Sequence, residues 1–236
     1  MLDESVVQRV LGAGLERGAD FAEIFVEEKR SSSALLDDGR VEELTSGRDR
    51  GAGIRVVVGE STGFAHTSDL SEEGLLAATR TAAAAARGAG RGTKVVDLER
   101  VEAPRPNQVE VRPSDVPKGR KVELLLAADE QARGVDPAIT QVTARYGDSQ
   151  RRILVANSDG VLAEDDQVRT LFSVSCVASG DAGMQTGRES IGRTVGFELF
   201  DRHDVGELAR SAARRARLKL DARPAPSGEM PVVIGP

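Results

Sequence analysis

The strongest constraint on the fold is one long alternation. Val168, Thr170, Phe172, Val174, Cys176 and Ala178 are spaced two apart, with Arg169, Ser173 and Ser175 between them. A period of two puts one set of side chains on one face of a strand. The segment therefore predicts a long antiparallel strand, buried on one side and wet on the other. Thr140, Val142, Ala144 and Tyr146 repeat the pattern, and Ile153 to Ala156 and the glycine-rich Gly183 to Arg193 read as further extended segments. Upstream, Phe21 to Glu28, Ser32 to Leu36, Val41 to Thr45, Gly53 to Val58 and Thr62 to Ala65 read as strands. Asp37-Asp38-Gly39 and Gly59-Glu60-Ser61 are turns between them. With no Trp, one Tyr and six Phe, the core must be built from Val, Leu, Ile and Ala.

Helices bracket these strands. Val6, Val7, Val10, Leu11 and Leu15 fall on one helical face, with Ser5 as the expected cap and Gly18 as the stop. Ser71 caps a second helix that runs through Ala82 to Ala86. Lys118 to Arg133 reads as a third, with Val122, Leu125 and Leu126 on its apolar face. Asp204 opens the last, with Glu207 placed as in a capping box and Val205, Leu208, Ala209, Ala212 and Ala216 as its apolar stripe. The class is α+β, with two consecutive domains, each an antiparallel sheet flanked by helices. The expected boundaries are 1–88 for the first, 89–117 for a Gly- and Pro-rich linker or surface excursion, and 118–222 for the second. Residues 223–236 are a linker and an apolar segment, Met230 to Gly235, that reads as the first strand of a further domain. The two units share their order of elements but no visible residue-level repeat.

A net charge of −6 argues against direct nucleic-acid binding. A lone cysteine, Cys176, excludes an internal disulfide framework and a Cys-rich metal site. The first residues show no basic stretch before an apolar run, and no stretch has the length of a membrane span, so the expected location is cytoplasmic, away from membranes.

No catalytic constellation is visible. His66 and His203 are far apart and share no metal-binding spacing. Cys176 lies on the apolar face of its strand, as a buried structural thiol does. Glu164-Asp165-Asp166 lacks the spacing of a calcium loop and reads as a solvated loop. Gly88 to Lys94 resembles a phosphate loop in composition but follows a helix instead of a strand. Arg210, Arg214 and Arg217 share a helix face near Lys219 and read as solvated. Asp148, Ser149 and Ser158 have no adjacent histidine to activate them. The expected catalytic, cofactor-binding and metal residues in this chain are therefore none. What remains are sheet edges that can pair with an extended peptide or another subunit.

Several segments together resemble one family. Asp38 to Glu43, Arg50 to Val56 and Thr62 to Ser71 look like the first domain of the TldD/PmbA zinc metalloproteases, formerly labelled modulator of DNA gyrase. Val155 to Gly160 and Val168 to Thr170 resemble the family's middle domain, and Pro226 to Gly235 resembles the entrance to its third. Met230-Pro231-Val232-Val233 favours the TldD branch. The resemblance implies a zinc-dependent peptidase whose ligands, an H-E-x-x-x-H helix and a thiolate, lie beyond Pro236. It implies a dimer of like or paralogous subunits around a cavity, and extended or unfolded peptides as substrates. On that reading this chain is the catalytically inert front part of the enzyme. The rival is a non-catalytic peptide-binding or assembly module that regulates a partner protein; a nucleotide-dependent enzyme would need a phosphate loop that is missing.

Overall fold

The computed structural model describes every residue except Met1, Arg87, Ala89, Arg91, Ala103, Arg105, Pro106, Asn107, Ala182 and Pro236. Asp3, not Ser5, opens the first helix, α1 (Glu4–Leu15): its carboxylate accepts the Ser5 backbone N–H at 2.8 Å. Three strands follow, β1 (Phe21–Asp37), β2 (Arg40–Val58) and β3 (Ser61–Thr67), then α2 (Glu72–Ala85), capped by Ser71 as expected. The segment between the two units adds a short strand, β4 (Glu99–Glu102), and a single 3-10 turn at Pro113–Asp115. The second unit repeats the first: α3 (Lys118–Arg133), β5 (Ile139–Asn157), β6 (Val161–Gly180), β7 (Gly183–Arg193), a short α4 (Leu199–Arg202) and α5 (Val205–Leu220). Asp204 caps α5, but no capping box closes, because Glu207 is engaged by Arg210 and Arg214.

The α+β class stands, and all seven strands form one sheet. Its order is β3-β2-β1-β5-β6, with β7 antiparallel to one stretch of β6 and β4 parallel to another. The two units meet where β1 pairs with β5 antiparallel, from Glu23 opposite Asn157 to Asp37 opposite Thr143, without a register break. Segments that read as separate strands are continuous: Phe21 to Leu36 is all β1, and Val41 to Val58 is all β2. The Asp38-Gly39 turn between them has positive φ at both residues, as a tight hairpin requires.

Even-numbered β1 residues are buried at both ends of the strand. Ala22, Ile24 and Val26 pack under α1 and α2, and Ala34 and Leu36 pack under α3 and α5. Strand parity therefore puts both helix pairs on the same face of the sheet. Between them Glu28, Arg30 and Ser32 break the apolar pattern on this face, and Ser32 lies under the start of α3, where Lys121 reaches it.

A residue-level repeat emerges from packing. Each helix that follows a sheet unit lies directly on a glycine in an edge strand. A Cβ on Gly63 of β3 would fall 1.9 Å from the Ala82 carbonyl oxygen and 2.6 Å from the Ala86 nitrogen. A Cβ on Gly187 of β7 would fall 2.0 Å from the Ala212 oxygen and 2.6 Å from the Ala216 nitrogen. The alanines on α2 and α5 complete the close approach, so the small residues of helix and strand are one device used twice.

The connecting segment is tied to the second unit. Glu198, buried just before α4, accepts the backbone N–H groups of Val111 at 2.9 Å and Gly196 at 2.7 Å. Burial by itself would raise the pKa of this carboxyl; the backbone donors outweigh it and hold the group below the ordinary range.

Gly63→Ala and Gly187→Ala are each expected to lower the unfolding free energy by about 2–3 kcal/mol, because the obstacle is helix backbone. Gly12→Ala in α1, where an added Cβ meets nothing within 4 Å, should be neutral or mildly stabilising. Urea unfolding of the three variants checks this, and equal midpoints would refute the packing account.

Candidate functional site

The residues singled out from the sequence do not converge. His66 lies on the edge strand β3, its ring 6.4 Å from that of Phe64, and His203 follows α4. Among the described residues no three His, Cys, Asp or Glu side chains come together in a metal-binding group. Cys176 is fully buried in β6, and burial pushes its thiol up to about 11. The acidic run Glu164-Asp165-Asp166 is a stretch of β6, not a loop. Asp166 accepts from Arg112 at 3.0 Å and from Gln150, and Glu164 meets Arg100. Ser158 is structural: its hydroxyl accepts the Ala22 N–H at 3.1 Å. The arginine stripe of α5 is answered by acids, Arg210 and Arg214 by Glu207 and Arg217 by Asp136 and Asp221. Gly88 to Lys94 lies partly outside the described residues; where it is described, the Thr93 N–H donates to the Ala19 oxygen.

The structure instead builds a polar cluster that the sequence reading left unassembled. The buried stripe of α3 is Lys121, Leu125, Ala128 and Ala132, and Leu126, expected on that face, is exposed. Lys121 is only 4% exposed. Its ammonium lies 2.7 Å from Asp148 Oδ2 and 2.7 Å from Ser32 Oγ. The Tyr146 hydroxyl donates to the same carboxylate oxygen at 2.8 Å, and Ser32 Oγ also meets it. Burial, then the Asp148 charge, drives the Tyr146 pKa far up, so the phenol remains a donor. As an ammonium Lys121 offers donors only, and the Ser32 hydroxyl is tied to the Asp148 carboxylate, which Lys121 and Tyr146 also share. The cluster is a clamp of α3 onto the seam between β1 and β5. Two sequence signals mark it: Lys121 precedes Leu125 by one helical turn, and Asp148 continues the alternation of Val142, Ala144 and Tyr146.

The opposite face of the sheet carries odd-numbered residues of β1, β5 and β6 and is mostly polar, with Phe25 and Leu171 exposed among them. Lys29, Ser31, Ser33, Thr45, Gly147 and Arg169 line a trough of about 440 Å³ there, and Glu27 pairs with Arg151 beside it. The outer edge of β2 is also open: β3 pairs only with Ala52–Val58, leaving Arg40–Gly51 without a strand on that side among the described residues. Met230 to Gly235 joins no strand, and Val233 is 97% exposed.

Residues 22–86 match the PmbA/TldA metallopeptidase domain 1, and residues 111–220 match the PmbA/TldA metallopeptidase central domain. The chain belongs to the PmbA/TldD metallopeptidase family. A metalloprotease of Methanothermobacter thermautotrophicus is 36% identical over 228 residues, covering 94% of this chain and 48% of the relative. A metalloprotease TldD homologue of Haemophilus influenzae is 30% identical, covering 93% of this chain and 47% of the relative. The chain thus spans about half the length of the curated relatives it matches. Two solved structures share the fold. One is a Thermotoga maritima protein provisionally assigned as a modulator of a DNA gyrase (TM-score 0.76, 20% identity, 95% of this chain and 50% of that one). The other is TldE from Thermococcus kodakarensis (TM-score 0.71, 16% identity, 90% and 47%).

Membership in a metallopeptidase family implies a metal. The residues described here do not fit one: the two histidines sit in separate units, and the cysteine is a buried, protonated thiol. No helix among the described residues is long and apolar enough to cross a membrane.

Lys121→Met leaves Asp148 buried without its cation and is expected to cost about 3–5 kcal/mol in urea unfolding. The double variant Lys121→Met/Asp148→Asn should cost less than the two single changes summed, since neither charge is then stranded. Additive losses would show that the clamp is not a unit. Cys176 should resist a thiol reagent at neutral pH in the folded chain and react promptly in guanidinium; rapid labelling of the native chain would contradict its burial.

Proposed function

We propose that this chain forms the front part of a zinc-dependent, TldD-type metallopeptidase acting on extended or unfolded peptides. In this reading the zinc ligands belong to a carboxyl-terminal part corresponding to the half of the relatives that this chain does not match. The two helix-flanked units wall a cavity, and residues 223–236 lead toward the catalytic part. The single observation that carries the proposal is the match to both leading domains of the family in a chain whose described histidines, cysteine and carboxylates assemble no metal centre.

Two features support a wall that admits extended chains. The polar, helix-free face presents short hydroxylated side chains in a trough, where a main chain can lie close to the sheet. The unpaired edge of β2 offers backbone donors and acceptors to a strand from a peptide or from a like or paralogous subunit. The acidic net charge favours a peptide over nucleic acid as the direct partner, and a cytoplasmic site of action suits the lone thiol.

The chain alone, dialysed against metal-free buffer, is expected to hold no stoichiometric zinc and to leave an unstructured peptide uncut. One tightly held zinc per chain, or cleavage by these residues alone that a chelator abolishes, would overturn the proposal.

A further inference from the structure

A groove of about 510 Å³ opens above the Lys121 clamp, on the helix-bearing face. It lies between the middle of the β1–β2 hairpin, the turn at Pro113–Val116 and the start of α3. Pockets of roughly 300–1,000 Å³ are the size that holds a small organic ligand. The lining is cationic: Arg30, Arg48, Lys118 and Lys121 face it, with Asp148 as its one acid. In a chain of net charge −6 this is a local arrangement, not the average field.

The charges do not cancel within the fold. Asp148 is taken up by Lys121 at 2.7 Å in the floor. Glu28, just outside the lining, is shared by two arginines, with Arg30 Nε and Arg48 Nη2 each 3.0 Å from a different oxygen. One carboxylate thus answers two guanidinium groups, and Lys118 makes no ion pair among the described residues. Two positive charges are left over at the rim. The local sequence adds to them: α3 starts at Pro117 with no side-chain cap and no acid in its first turn, and places Lys118, Arg120 and Lys121 where a helix normally carries carboxylates. Ser32 and Ser46 bring hydroxyls to the same groove. The floor is preformed, because the Lys121, Asp148, Ser32 and Tyr146 bonds hold each other without a ligand.

We propose that this groove binds a small molecule carrying a dianionic phosphate group, with Arg30, Arg48 and Lys118 holding the phosphate oxygens over the Lys121–Asp148 floor. Two unanswered cations match a dianion better than a carboxylate. The fork of a guanidinium presents paired N–H donors to phosphate oxygens, and the volume beyond the cations leaves room for the organic part of a monoester. The proposal does not rest on the peptidase reading, since it is argued from the charge and shape of the groove alone.

Calorimetric titration of the whole chain with inorganic phosphate, glycerol phosphate and acetate tests this. Both phosphates are expected to bind one to one, with acetate at least about tenfold weaker. Arg48→Gln and Lys118→Gln, both exposed, should each weaken phosphate about tenfold, the loss of one charge-assisted contact. Arg214→Gln on α5 should leave it unchanged. Affinity for glycerol phosphate should fall below about pH 6, where the monoester loses its second charge. Tighter binding of glycerol phosphate makes the ligand an ester, and equal binding makes it free phosphate; either supports a dianion site. Absence of saturable phosphate binding, acetate binding as tight as phosphate, or an equal loss in Arg214→Gln would overturn it.

Discussion

The unbroken pairing of β1 with β5 governs the rest of the molecule. Because β1 runs straight from one helix pair to the other, its side-chain parity is the same at Ile24 and at Leu36, and both helix pairs are forced onto one face. The opposite face is left mostly to hydroxyls and ion pairs, with Phe25 and Leu171 exposed among them. Between the two helix pairs the apolar alternation gives way to Glu28 and Arg30 on β1 and to Gln150 and Arg152 on β5, and beside them Ser32 and Asp148 are held by Lys121 of α3. The polar middle is a consequence of the seam rather than a flaw in the core.

Closing each unit then depends on backbone approach. The cores are aliphatic and poor in aromatic rings, so the helices must come close to bury enough surface, and Gly63 and Gly187 permit that where any Cβ would meet a helix carbonyl. Four of the seven Phe and Tyr rings form a cluster in the second unit, where Tyr146, Phe172, Phe197 and Phe200 stack edge to face and tilted, with centroids 5.0–6.1 Å apart. The buried Lys121–Asp148 pair sits at the border of that cluster, where α3 meets the seam. A buried ion pair adds less to stability than to geometry; here it fixes the floor of a basic groove and the start of α3.

Much of this was legible. The alternation of Val168 to Ala178, the Asp38-Gly39 turn, the caps at Ser71 and Asp204 and the alanine face of α5 all follow from local chemistry. The family resemblance rested on segments of β2, β3, β5 and β6 with their flanking turns, and on Pro226 to Gly235, which joins no strand. The errors share one cause. Lys29 to Ser31 and Ser46 to Ala52 fall between the strands the sequence predicts, and Glu164 to Asp166 reads as a loop, because a polar strand segment carries no apolar period to announce it. Lys121 went unnoticed because a lysine in phase with leucines is normally solvated.

The sequence by itself determined the four long helices, the apolar parts of the main strands, their order and the aliphatic character of the core, since caps, turns and periodicity act between residues a few positions apart. Only the tertiary structure decided that the two units share a sheet, that Lys121, Asp148 and Ser32 meet, and that Arg30, Arg48 and Lys118 surround one groove. Those contacts join residues tens of positions apart, and their partners are set by strand register and helix placement, which no local pattern encodes.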